Sequence, residues 1–422
     1  MRQIIVIGAG ASGLMSAFHA KNENTSVTIL EAGEKPGRKL LATGNGRCNL
    51  TYAADIPPIP YRGERPAFAD EVLKQFAQPE TLQFFQGLGM LMHEKNGGIY
   101  PYTDQAQTVL QVLSEAVQAK GVKVKTRERV TQIIVNDTGK NHTEDSAGRF
   151  LVKTEGWQYE ADAVILACGS KAAPMLGAAE DGYLLSEMLG HRITRLIPSL
   201  VPVKTGEKRF YTLAGLRNRA KLSLRIDGQE VLREQGELQW TSYGISGIVV
   251  FQMSRFAAAG LLEGKKVQVV ADLLPDQDIN AVLSMLKSQG KKRADRLFAG
   301  VFPQKLTTAL LESCKYKASA VLSEQQIENV LAHAKELTLT VTGTKDFESA
   351  QVCAGGVDTD EVDSRTLESK KVPGIYFAGE LLDVDGACGG YNLQWAWSSG
   401  YTAGRHAAEK GNEKCSEYSS LK

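Results

Sequence analysis

Residues 3–7 read QIIVI, and the chain then turns through GAGASG into LMSA. A short, wholly apolar, β-branched run predicts a strand buried on both faces of a parallel sheet. Gly8, Gly10 and Gly13 fall in the G-x-G-x-x-G spacing between that strand and a helix predicted over about Leu14–Lys21. Gly8 permits the tight turn, Gly10 admits a pyrophosphate to the backbone, and Gly13 lets helix and strand close together. Ala11 and Ser12 stand where the helix N-terminus offers N–H donors and a positive dipole to phosphate. SVTILE predicts a second strand ending at Glu31, placed to accept hydrogen bonds from a ribose diol, with Ala32 beside it. The Glu31 charge opposes a 2′-phosphate and so argues against NADP in this site. A bare glycine turn is the bland alternative, and strand, helix and acidic residue in register outweigh it.

A length of 422 residues predicts two or three folding units. Lys plus Arg number 49 and Asp plus Glu 48, a net charge of +1 that gives no electrostatic argument for nucleic acid or an anionic membrane. The basic run GKKRADR (290–296) reads as a solvated helix face. Cysteines 48, 168, 314, 353, 388 and 415 are scattered, with no C-x-x-C and no metal-ligand spacing. Glycines break the N-terminal apolar run, which argues against a signal peptide, and no segment reaches the ~20 apolar residues of a span. The expectation is a soluble, cytoplasmic protein acting on a small molecule, with no metal and no nucleic-acid or membrane partner.

Further along, Pro57, Pro58, Pro60 and Pro66 mark an irregular connection, followed by helices near Asp70–Phe76 and Pro79–Leu88. TDQAQTVLQVLSEAVQAKG is helical, and VKVKTRERVTQIIVN with RFLVKTEGWQYEAD predicts an antiparallel meander. The expected organisation is an α/β Rossmann-like domain, a parallel sheet with an antiparallel meander, whose first part spans 1–190. A β-rich insert over 191–273 carries a hairpin signal at Asp227–Gly228. A helical insert covers 274–340, residues 341–410 complete the first domain, and 411–422 form a polar tail.

The N-terminal unit alone does not choose between NAD and FAD. Three other segments favour FAD. GRKLLATGNGRCN (37–49) follows the ribose-binding strand, where a loop folds back over pyrophosphate and flavin. Arg38 and Lys39 there neutralise phosphate, and Gly44 and Gly46 permit close backbone approach. Leu40, Thr43, Arg47, Cys48 and Asn49 complete the contacts expected of this loop, Cys48 as small buried packing. VPGIYFAGELLDVDG delivers Gly379 and Glu380 at the carboxyl end of a buried strand, where ligands sit in such sheets. GACGGYNLQWAWSSGYTAG places Gly389 and Gly390 before a helix from about Asn392, whose N-terminus suits the negative charge of a reduced isoalloxazine. Tyr391, Asn392 and Leu393 belong to that contact set, as do Val130, Ala167 and Gly169.

These motifs, with TSYGISGIVVFQMSR and AQVCAGGVDTDEV, resemble the HI0933-like bacterial flavoproteins over nearly the whole chain. The resemblance implies an FAD domain split by a β-barrel-like and a helical insert. Tyr52, Ile248 and Cys353 depart from the pattern, where the family carries Asn, Pro and Thr, and GAAEDGY (177–183) looks like a worn GSTGDGY. The resemblance also implies NAD(P)H-dependent reduction of a C=C conjugated to a carbonyl, as in 3-oxo-4-ene steroid acids. With no second G-x-G-x-x-G, NADH or NADPH acts as a transient co-substrate docking directly over the flavin, between insert and FAD domain.

Proton donors to consider are Tyr243, Tyr391, His93 and Tyr100, with Tyr243 and Tyr391 taken as the catalytic pair. Two rivals stay open: an oxidase of amines or amino-ketones using O2, and a non-catalytic flavin-binding redox sensor.

Overall fold

The computed structural model describes residues 1–53, 61–136 and 149–409. Pro57, Pro58, Pro60 and the polar tail 411–422 lie outside the described residues. The chain folds as two units: 1–196 with 352 onward, and Ile197–Gln351.

In the first unit five strands run parallel in the spatial order Ile375–Phe377, Ala163–Leu166, Arg2–Ile7, Thr25–Glu31, Lys123–Thr126. Ile4, Val6, Ile29, Val164 and Ile375 are all buried, as expected for a sheet covered on both faces. Helix Ala11–Ala20 packs on one face, against the C-terminal helix Tyr391–Glu409. That contact is made at glycines: a Cβ on Gly400 would fall 2.7 Å from Ser12 O, and one on Gly404 2.2 Å from Ser16 O. Only glycine lets the two backbones approach so closely.

Two local expectations are corrected. Lys123–Thr126 does not open the meander but pairs parallel with Thr25–Glu31 as the sheet edge. The chain turns away afterwards at Arg127 (φ 60), whose N–H bonds Gly33 O, while Glu128 N–H bonds Glu31 O. The meander itself is Val130–Val135, Phe150–Thr154 and Gln158–Ala161, all antiparallel. Pro66, expected in an irregular connection, instead opens the helix Pro66–Leu73, where its missing N–H costs nothing.

The second unit is a closed six-stranded barrel. Its long hairpin, Arg217–Ile226 with Gln229–Thr241, turns at Asp227 (φ 49) and Gly228 (φ 83), the left-handed pair such turns require. The helical segment is not separate from it. Helices Ile279–Ser288, Gln304–Ser313 and Glu324–Lys335 interrupt the barrel before its last strand, Leu337–Thr344, which pairs with Val267–Asp272 and Val203–Thr205. Leu222, Trp240 and Val269 of the barrel share one core with Leu286, Leu310 and Leu331 of the helices. The insert therefore runs over 197–351 in place of the expected 191–340, because strand pairing carries the barrel past 340. No helix among the described residues is long and apolar enough to cross a membrane.

Candidate functional site

At the carboxyl end of Arg2–Ile7 the three glycines of the turn meet different surroundings. A Cβ on Gly8 (φ 104) would strike Ala167 O at 2.5 Å, and one on Gly13 would strike Gly8 O at 1.9 Å. Both are held as glycine by the protein itself. Gly10 has ordinary backbone angles (φ −81), and a Cβ there would find no protein atom within 4 Å. Nothing within the fold requires glycine at position 10, and the space a side chain would fill is open to a ligand.

Glu31 is oriented by the same turn. Its Oε2 accepts from Ala9 N–H and its Oε1 from Gly33 N–H, each at 2.7 Å. The carboxylate is thus fixed at the strand end next to Ala32, with lone pairs remaining for hydroxyl donors.

The loop 37–49 starts from Gly37 (φ 73), whose N–H bonds Ala9 O. Arg38 is exposed at its guanidinium and donates to Met175 O at 2.9 Å. Lys39 Nζ lies 2.6 Å from Glu380 Oε2, and the same oxygen accepts from Ser170 Oγ at 3.0 Å. The expected phosphate-neutralising lysine and the expected strand-end glutamate are therefore partners. Leu40, next in the chain, is buried.

From Gly44 to Cys48 the loop passes through four left-handed residues, Gly44, Asn45, Gly46 and Cys48, with Arg47 exposed between them. Cys48 is fully buried, its N–H bonds Thr43 O, and burial pushes its thiol up to about 12. Cys168 is likewise pushed up to about 12 by burial, so neither is a thiolate near neutrality.

The loop ends against the second glycine pair. A Cβ on Gly390 (φ 96) would stand 2.5–2.8 Å from Thr51 backbone atoms. With its amide turned to suit both partners, Asn49 donates to Thr51 O at 2.9 Å and accepts from Gly390 N–H at 3.3 Å. Beyond the pair, Asn392 accepts from Gly386 N–H (2.8 Å) and donates to Gly386 O (3.0 Å), fixing the chain just before the helix. Leu393 is half-buried on that helix.

The remaining expected residues close the ring of motifs. Ala167 N–H bonds Ile7 O, and Gly169 (φ 73) faces open space. A Cβ on Gly379 would fall 2.4 Å from Ser12 Oγ, and its N–H bonds Ser399 Oγ. Val130 is buried at the start of the meander. Four segments distant in sequence thus converge within one unit, at the carboxyl ends of the strands.

The two tyrosines expected to be catalytic belong to different units. Tyr391 is 3% exposed, stacks on Tyr52 (centroids 4.6 Å apart) and accepts from Tyr61 Oη through its carbonyl. Tyr243 belongs to the insert, where Lys345 Nζ lies 4.6 Å over its ring. Sequence reasoning missed Ser170, which helps hold Glu380, and the Gly400/Gly404 contact, whose i, i+4 spacing was the available signal. Among the described residues no cluster of His, Cys, Asp or Glu is arranged to hold a metal.

A family model described as the HI0933-like protein Rossmann domain matches residues 2–406. The 3-dehydro-bile acid delta(4,6)-reductase of Clostridium scindens is 43% identical over 419 residues, covering 97% of this chain and all of that one. The ribosomal RNA dihydrouridine synthases of Haemophilus influenzae and Escherichia coli are each 31% identical, over 94% of this chain and 96% of theirs. The solved 3-ketosteroid-delta4-(5alpha)-dehydrogenase of Rhodococcus jostii RHA1 is more distant, at 14% identity over 97% of each chain and a TM-score of 0.48.

Proposed function

The chain belongs to the HI0933-like family of Rossmann-domain proteins, and on that premise we propose that it is an FAD-dependent, NAD(P)H-driven reductase of a carbonyl-conjugated C=C. The observation that carries the reading is Gly10, the one glycine of its turn that the fold does not need. The N-terminus of helix Ala11–Ala20 takes the pyrophosphate, Glu31 the ribose, and the Gly44–Asn49 loop with Gly389–Asn392 the flavin end. A flavin held there would supply hydride transfer between the nicotinamide and the electrophilic carbon of the substrate. The chain contributes a dipole at each helix N-terminus, a fixed carboxylate at Glu31, and buried thiols that stay out of the redox chemistry.

A bile acid of the 3-dehydro, Δ4,6 type is a dienone, and dihydrouridine is a uridine whose ring C=C has been saturated. The names of the relatives therefore point to one type of reaction on two substrates. A small steroid-like enone is favoured here by the higher identity of the bile-acid reductase. The balanced charge agrees, because phosphate-backbone recognition draws on an excess of Lys and Arg.

Anaerobic mixing tests the proposal. NADH or NADPH is expected to bleach the flavin, and a 3-oxo-4-ene bile acid to restore it, while ribosomal RNA does not. Gly10→Ala is expected to leave the fold intact and lower FAD affinity by about 10-fold or more, since the added methyl enters only ligand space. An oxidised spectrum that neither nicotinamide changes overturns the reductase reading. Peroxide formed after bleaching by an amine replaces it with an oxidase.

A further inference from the structure

The proposed reduction leaves one proton without a source, and a hairpin beside the 44–49 loop is equipped to give it. Strands Met92–Lys95 and Gly98–Pro101 pair antiparallel with His93 directly opposite Tyr100, their ring centroids 6.2 Å apart. Gly98–Pro101 also pairs with Thr51–Tyr52, the segment that abuts Gly390. Tyr100 thereby lies against the loop, its Cε1 3.6 Å from where a Cβ on Gly44 would stand. His93 Nε2 is 3.1 Å from Asp104 Oδ1, and Lys95 Nζ is 3.7 Å from the other oxygen. Among the described residues the Tyr100 hydroxyl has no hydrogen-bond partner.

We propose that Tyr100 is the proton donor of this reductase, delivering its phenolic proton to the α-carbon of the enone. The proposal rests on the reading above. As the β-carbon gains a hydrogen and its electron pair from the reduced flavin, the π pair shifts to the α-carbon. There it takes the Tyr100 proton as the O–H bond breaks. The phenolate left behind is neighboured by the Arg47 guanidinium, which stabilises it, and regains its proton from water. In the resting state burial holds the Tyr100 phenol above its ordinary range. Arg47 opposes that shift, while Asp104 and Cys48 add to it, so the proton is in place at neutral pH. Of the neighbouring tyrosines, Tyr52 and Tyr391 stack on each other, and Tyr61 donates to Tyr391 O.

Two measurements test this. In stopped flow, reoxidation of reduced Tyr100→Phe by a 3-oxo-4-ene bile acid is expected to slow by about 100-fold or more. The second needs no flavin. FAD-stripped protein in D2O is expected to exchange the α-hydrogens of the saturated 3-oxo product, read by mass spectrometry, and Tyr100→Phe to lose that exchange, while Tyr316→Phe, at a tyrosine whose hydroxyl accepts from Asn329 in the helical segment, keeps it. Reoxidation at the wild-type rate, exchange that survives Tyr100→Phe, or no exchange by the stripped wild type overturns the assignment. A wild-type flavin that nicotinamide does not bleach overturns the reductase reading instead, and the exchange still decides on Tyr100.

Discussion

Lys39 and Glu380, 341 residues apart, meet through Nζ and Oε2 at 2.6 Å, with 30% and 17% of their side chains exposed. The pair ties the 37–49 loop to the turn after strand Ile375–Phe377, so one contact sets the spacing of two of the four converging segments.

Lys39→Met leaves Glu380 with Ser170 as its remaining charge-stabilising contact, in a setting mostly closed to water. The expected loss is about 1–2 kcal/mol of unfolding free energy, measured by urea titration. Glu380→Gln, which keeps a hydrogen-bonding group toward Ser170 and Lys39, is expected to lose less. Equal losses would show that the charge pairing contributes nothing beyond its shape.

Gly404→Ala places a methyl 2.2 Å from Ser16 O. Helices Ala11–Ala20 and Tyr391–Glu409 must then separate, at an expected cost of about 1–3 kcal/mol. The same substitution at Gly300, where a Cβ meets nothing within 4 Å, is the control. Thermal unfolding followed by circular dichroism distinguishes them.

His19 sits among Tyr401, Phe18 and Phe84, with ring centroids 4.7, 5.1 and 5.4 Å away. Burial, helped by the nearby Lys120 charge, lowers its pKa from 6.5 to about 3. Below pH 6.5 the unfolded chain takes up a proton that the folded chain refuses. Stability therefore falls as pH drops from about 6.5 toward 3, and this group adds no slope above that range. At pH 5 the expected loss relative to neutrality is about 2 kcal/mol. His19→Phe is expected to flatten that part of the profile in urea titrations at pH 5 and 7.

The Rossmann strand, its glycine turn and Glu31 were legible because the chemistry of each is local, fixed by spacing within some thirty residues. The Asp227–Gly228 hairpin was legible for the same reason. What the sequence hid was pairing at a distance. Lys123–Thr126 alternates like a meander strand, and its parallel partner lies about a hundred residues earlier. Leu337–Thr344 reads as a strand, but nothing local says that it closes a barrel begun before residue 210. Lys39 read as a phosphate-neutralising residue, and its pairing with Glu380 is invisible until the chain has folded. His93 and Tyr100 were legible as candidate proton donors, but only cross-strand register sets them face to face.

Strand Ile375–Phe377, the Gly389–Gly390 pair and helix Tyr391–Glu409 are made after the N-terminal part of the cofactor domain and after the insert. The insert, bounded by Ile197 and Gln351, emerges whole before them. During synthesis the barrel and its helices have every strand they require while the N-terminal sheet still lacks an edge and a covering helix. A redox group can therefore be held only once residues 375–409 have been made, and a nascent chain that stops short of them presents no assembled pocket in which a reactive coenzyme could be retained.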